Sequence, residues 1–120
     1  MSKDKILWED NLCFIIKDAY PVNEGHMLVI SKRHIPTWFH ATIDEQQYMM
    51  GALDIAKHLI ERDCNPQGYN IGINCGSAAG QTIDHLHIHL IPRYLGDIED
   101  PCGGVRCVIP ERGNYKKNLV

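Results

Sequence analysis

Residues 85–89 read His85-Leu86-His87-Ile88-His89, and the alternation runs on through Leu90 and Ile91 to Pro92. A repeat of two belongs to a β-strand, because successive side chains of a strand point to opposite faces. His85, His87 and His89 then share one face, while Leu86, Ile88 and Leu90 share the other and can anchor the strand in a core. Same-face neighbours lie roughly 6.5–7 Å apart along a strand, so adjacent rings can act on one small ligand. Imidazole is the side chain suited to nucleophilic and proton-transfer work near neutral pH.

Two chemistries compete for such a row. One is nucleophilic catalysis at phosphorus, with one imidazole attacking while the others orient or donate protons. The other is a metal site, since His-x-His on a strand can supply two zinc ligands. A solvated strand face that merely carries histidines is the plain reading; three in register, backed by an aliphatic stripe, weigh against it. The segment leading in, Asn74-Cys75-Gly76-Ser77-Ala78-Ala79-Gly80-Gln81-Thr82, is small and polar. Gly76 and Gly80 permit unusual backbone angles and close approach to a ligand. Asn74, Ser77, Gln81 and Thr82 bring neutral donors, which suit phosphate oxygens better than a metal. A metal would want another Cys, Asp or Glu, and only Cys75 and Asp84 lie close in sequence. Taken alone, the loop also reads as an ordinary strand connection.

His85-Leu86-His87-Ile88-His89-Leu90-Ile91 resembles the His-φ-His-φ-His-φ-φ signature of the histidine triad (HIT) superfamily, where φ is apolar. The loop from Asn74 to Thr82 is similar to that family's approach to its triad, with the same spacing. Upstream, residues 18–26 followed by Met27-Leu28-Val29-Ile30-Ser31-Lys32-Arg33-His34-Ile35 resemble its N-terminal half. The likeness covers roughly Trp8 to Tyr94.

The resemblance implies roles by position. His87 matches the nucleophile that attacks the α-phosphorus of a nucleotide and forms a covalent nucleotidyl-histidine intermediate, which water then releases as a nucleoside monophosphate. His89 matches the residue at the non-bridging oxygens and the leaving group. His85 matches an orienting histidine, and His26 an additional histidine that contacts it. Asn74, Gln81 and Thr82 match phosphate-side or leaving-group contacts. Asp18 matches the position that binds ribose hydroxyls, and Ile16, Ala19 and Leu28 are candidate walls of an apolar base pocket. No metal ligand and no cofactor for the chemical step are expected, although a divalent cation can accompany a polyphosphate.

Imidazole chemistry supports this scheme independently. A neutral ring is a good nucleophile and a protonated one a good leaving group, which splits a hard displacement into two easier ones. Donors nearby can stabilise charge on the equatorial oxygens. The chain has no glycine-rich, lysine-bearing phosphate loop, so a kinase or ATPase reading has no support. Within the family, the exit Leu90-Ile91-Pro92-Arg93 and the pair Gln81-Thr82 look like the dinucleoside-polyphosphate hydrolases, the fragile histidine triad branch and its bacterial relatives. His89 departs from the uridylyltransferase branch, which has glutamine there. A diadenosine polyphosphate is the favoured substrate class, ahead of a nucleoside phosphoramidate. A non-catalytic nucleotide- or metal-binding adaptor is the reading from another class.

At 120 residues the chain is expected to form a single domain, with a core over about 8–94 and a tail over 95–120. Hydrophobic content of 44% with 22% charged residues is ordinary for a soluble globular protein. A net charge of −3 argues against broad binding to nucleic acid. No signal peptide or membrane span is expected. Cys13, Cys64, Cys75, Cys102 and Cys107 form no Cys-x-x-Cys pair, so free thiols in a reducing cytoplasm are the simplest reading. Some family members pair two N-terminal cysteines around structural zinc; Cys13 stands alone. Cys75 could be redox-sensitive, with an inert buried thiol preferred.

The order of elements predicts an α+β fold, a mostly antiparallel sheet with one main helix. Strands are expected over residues 12–17, 26–31, 69–73 and 84–91, the first two forming a hairpin through residues 18–25. Thr42 and Glu45 read as a capping box. Met49, Ala52, Leu53, Ala56, Leu59 and Ile60 recur at three- and four-residue spacing behind it, giving a helix to near Arg62. Lys32 and Arg33 read as solvated charges, and His34, His40 and His58 carry no assigned role. In the tail, residues 105–109 could add a short strand, and Arg93, Arg106 and Arg112 could meet a polyphosphate, with surface arginines the plainer reading. Family likeness implies a homodimer whose sheets join, with a nucleotide as ligand.

Overall fold

The computed structural model describes residues 5–115. Its strands are β1 (Ile6–Glu9), β2 (Cys13–Lys17), β3 (Met27–Ser31), β4 (Gly68–Gly72) and β5 (His87–Arg93), with α1 (Ile43–Glu61) between β3 and β4. They form one antiparallel sheet in the order β1-β2-β3-β5-β4. The expected α+β fold with one main helix is the observed one.

Period two decides which residues face α1. Trp8, Ile15, Val29 and Ile88 pair in a row across β1, β2, β3 and β5. Ile15, Val29 and Ile88 are completely buried, packed with Met49, Ala52, Leu53, Ala56 and Ile60 of the helix. Each such aliphatic side chain contributes about 1.5–3 kcal/mol by leaving water. The opposite face carries two parallel rows. Phe14, Ile30 and His87 form one; Ile16, Leu28, His89 and Gly72 form the other. The main helix α1 packs against the first face, not this one.

The helix starts where the capping box places it. Thr42 accepts from the Glu45 amide, and the Glu45 carboxylate accepts from the Thr42 amide. That same carboxylate takes a forked hydrogen bond from Arg33, Nη2 at 2.8 Å and Nε at 3.1 Å. Arg33 is therefore no free surface charge. It ties the end of β3 to the helix start, and its hydrogen bonds hold the buried Glu45 carboxyl down at about 2.

Three expectations change. β5 begins at His87, not residue 84, and runs to Arg93. The side-chain alternation begins earlier all the same, because Leu86 bridges the backbone of Ser31 and Ile35. Residues 105–109 make no strand. Gly103 and Gly104, with φ of 95° and 50°, turn the chain into a 3-10 turn over Gly104–Val108, followed by the short helix α2 (Pro110–Gly113). β1 was not anticipated. It is a four-residue edge strand whose register slips at Leu7, although its burial still alternates.

Candidate active site

The site occupies the open face of the sheet, where the backbone partners of three imidazoles, and the contact of one of them with a fourth, determine where their protons sit. His87 Nδ1 lies 2.8 Å from the carbonyl oxygen of His85. A carbonyl only accepts, so Nδ1 carries the proton and Nε2 keeps its lone pair. His85 donates from Nε2 to the Ser31 carbonyl at 2.6 Å. His26 Nδ1 accepts the Val22 amide at 3.0 Å, so the neutral ring holds its proton on Nε2. That Nε2 stands 3.0 Å from His89 Nδ1. His89 Nδ1 is then the acceptor, and its own proton sits on Nε2. Burial pushes the pKa of both His26 and His89 down, and His87 and His26 lower His89 further, so both rings are kept neutral.

The result is a paired arrangement. A bare His87 Nε2 sits on a ring 5.1 Å, centroid to centroid, from one that presents an N–H. His85 does not join that pair; its ring packs on His34 at 4.8 Å. His26 was expected against His85, and the structure sets it against His89 instead. The register explains this. Leu28 pairs with His89, and His26 lies two residues before Leu28 on the same face, which makes it a diagonal neighbour of His89.

Asp18, at the end of β2, completes the cluster. Its Oδ1 accepts from the Tyr20 amide, and Oδ2 lies 3.4 Å from His26 Nε2 and 3.9 Å from His89 Nδ1. These three donor atoms are close enough to hold a metal ion. Their spacing, 3.0 to 3.9 Å, brackets the ligand–ligand distance of about 3.3 Å in a tetrahedral zinc site. The donor chemistry fits less well. The Val22 amide claims His26 Nδ1, so the proton occupies the Nε2 a metal would take. The set suits proton sharing better than coordination. Of the three triad rings, only His89 belongs to a cluster of metal-ligating donors found among the described residues.

The remaining candidates divide. Ile16 and Leu28 share the cross-strand row of His89. Asn74, just past β4, lines a cavity together with His26 and His89. Gln81 is committed to its own loop: Oε1 accepts from the Gly76 amide, and Nε2 donates to Pro36 and Ile83 carbonyls. Gly76 and Gly80, at φ 94° and 88°, bracket the 3-10 turn Ser77–Ala79. Thr82 is exposed. Arg93 is held by Asp97 and Asn70, and Arg106 by the Gly113 carbonyl, so neither guanidinium is aimed at the histidines. Sequence reasoning missed His34 as a neighbour of His85, and it missed the Val22 amide and the Ser31 carbonyl. Backbone groups leave no trace in residue type, whereas His34 was visible as a histidine without a partner.

A single antiparallel sheet whose open face carries a row of imidazoles defines a histidine-triad protein. The HIT domain matches residues 1–96. Adenylylsulfatase HINT3 of Arabidopsis thaliana is 37% identical over 91 residues, 76% of this chain and 46% of the relative. Bis(5'-adenosyl)-triphosphatase of Dictyostelium discoideum is 33% identical over 100 residues, 83% of this chain and 67% of the relative. The crystal structure of a HIT family protein from Bacillus anthracis superposes with a TM-score of 0.73 at 34% identity, covering 78% of this chain and 66% of that one. The chain belongs to the HIT family. It spans about half the length of the plant relative.

Proposed function

We propose that this chain is a nucleotide hydrolase or nucleotidyl transferase that cleaves a diadenosine polyphosphate at the α-phosphorus through a covalent His87 intermediate. The observation that carries the proposal is the 2.8 Å hydrogen bond from His87 Nδ1 to the His85 carbonyl. It leaves Nε2 free to attack and keeps Nδ1 protonated throughout. As the Nε2–P bond forms and the bond to the polyphosphate leaving group breaks, the ring becomes a phosphorylated imidazolium. The His85 carbonyl stabilises that positive charge, and the charge makes the ring a good leaving group for the second step. Water then attacks the phosphorus, the Nε2–P bond breaks, AMP leaves, and one proton passes to solvent.

His89 donates from Nε2 to the non-bridging oxygens or the departing oxygen. His26 is a positioning residue: by donating to His89 Nδ1 it keeps the His89 proton on the substrate side. Ile16 and Leu28 wall the base of the transferred nucleotide, and Asp18 holds its ribose. Asn74 and Thr82 serve the phosphate side, while Gln81 acts by fixing the loop. A divalent cation accompanies the polyphosphate to offset its charge. The free edge of β4 is where a second copy would extend the sheet. No helix among the described residues is long and apolar enough to cross a membrane, and five free thiols suit a reducing cytoplasm. The name of the Dictyostelium relative supports the dinucleotide reading. That of the plant relative favours a second one, a nucleotide with a small leaving group such as a nucleoside phosphoramidate.

The test measures AMP release from diadenosine tetraphosphate and from adenosine 5'-phosphoramidate, with and without chelator, for wild type and His87→Ala. Chelator-resistant turnover that collapses in the variant supports the mechanism, and the faster substrate names the leaving group. An equal rate in the variant refutes His87 as nucleophile. Tight AMP binding with no turnover of either compound would establish a binding module instead.

A further inference from the structure

Because β5 lies between β3 and β4, the histidine strand divides the open face of the sheet into two halves. Ile16 and Leu28 occupy the half on the β3 side, on β2 and β3. The other half holds a cavity of about 570 Å³, most of whose lining the proposed chemistry has not used. His26, His89 and Asn74 lie along its inner side, with Val22 and Ile91 beside them. Its outer wall is the C-terminal 3-10 turn, through Val105 and Val108. Among the described residues that line it there is no lysine, arginine, aspartate or glutamate. It is thus built for a neutral, apolar group and not for the phosphate chain itself.

The wall is an organised element. A Cβ at Gly103 would overlap the Gly113 carbonyl, and one at Gly113 would overlap Cys107, so the turn and α2 close on each other only because both positions are glycine. Arg106 Nε donates to the Gly113 carbonyl at 3.1 Å and its guanidinium covers the Tyr115 ring at 5.2 Å. This packing nevertheless leaves Val105 and Val108 62% and 79% exposed. Two aliphatic side chains held out of the core, facing a cavity that ends on the catalytic imidazoles, are poorly explained by folding alone.

We infer that this cavity is the subsite for the base of the departing nucleoside, and that Val105 and Val108 make the chain selective for substrates with two nucleosides. The inference rests on the proposed nucleotidyl transfer to His87. With the transferred base on the β3 side, the leaving group departs on the β4 side past His89 and Asn74, directly beside the cavity. The volume falls within the roughly 300–1,000 Å³ of small-molecule sites, and aliphatic walls suit the faces of a purine.

The test compares wild type with Val105→Asp and Val108→Asp on the same two substrates, diadenosine tetraphosphate and adenosine 5'-phosphoramidate. The ratio of kcat/KM for the dinucleotide over the phosphoramidate should fall about tenfold or more, mainly through KM of the dinucleotide. Val108→Leu should restore the ratio. A ratio within twofold of wild type in both aspartate variants overturns the subsite, whether the rates are unchanged or fall together because the tail has come loose. A second arm is independent of turnover. In the His87→Ala protein, calorimetry of diadenosine tetraphosphate and of AMP should show tighter binding of the dinucleotide, and adding Val108→Asp should remove that advantage. An advantage that persists overturns the subsite; absence of turnover in wild type would overturn only the nucleotidyl-transfer reading.

Discussion

The two faces of this sheet are made by the same strands and obey opposite rules. Along β5, Ile88 and Leu90 are 0% and 2% exposed against α1, while His87 and His89 between them face the open side. One face excludes water and tolerates no gap. The other holds polar rings in fixed orientations through hydrogen bonds to backbone or to a neighbouring ring. Stability and chemistry are thereby separated by one residue of sequence, so a change on either face should leave the other readable.

The largest expected effect is on the open face. His87→Ala should reduce nucleotide turnover on the order of 10³-fold or more, as loss of a covalent nucleophile does. Its melting temperature should stay within a few degrees of wild type, because the ring is only half-buried and lies on the face away from α1. A large drop in stability with activity still measurable would mean the faces are not separable. Ile88→Ala tests the converse. It removes a completely buried side chain beneath the triad and should cost about 2–5 kcal/mol in denaturant unfolding. The fraction that remains folded should keep the wild-type KM.

A smaller effect is expected at His26, which is buried yet hydrogen-bonded to a triad ring. His26→Ala strands the Val22 amide and frees the His89 tautomer, so kcat should fall about 10- to 100-fold. His26→Gln should recover part of the loss, since its amide N–H can reach His89 Nδ1. Equal rates for the two variants would remove the proton-positioning role and leave only packing.

How much of this could be read from sequence follows the same division. Alternation in residues 85–91 and the Thr42–Glu45 box are local patterns, and each places its element to within a few residues. The pairing of Leu28 with His89 is set by register between distant strands, so the partner of His26 was misassigned although His26 itself was singled out. Arg33 was legible as a charge but not as a partner of Glu45, because that contact needs the β3–α1 geometry. The tail misled for a physical reason. Val105-Arg106-Cys107-Val108-Ile109 has β-forming composition, and the two glycines before it override that preference by imposing left-handed backbone angles.

The smallest effect separates the two regions by pH. The His26 and His89 pKa values are lowered in the fold by burial, so the folded state resists protonation more than the unfolded chain does. Their contribution to stability is complete above the unfolded value near 6.5 and is lost as pH falls below it toward the lowered folded values. Glu45 behaves likewise in a lower window. Its carboxyl is held at about 2 against an ordinary 4.5, so its contribution is complete above 4.5 and disappears as pH falls toward 2. Glu45→Gln should cost only about 1–2 kcal/mol at neutral pH, because Arg33 is half exposed and water screens the pair. It should flatten the unfolding free energy between pH 4.5 and 2 while leaving the fall just below pH 6.5 intact. His26→Gln should reduce the fall just below pH 6.5 to the part His89 contributes, and leave the lower window intact. If either variant altered both windows, the helix cap and the histidine cluster would be coupled through β3, and the separation of the two faces would fail at that strand.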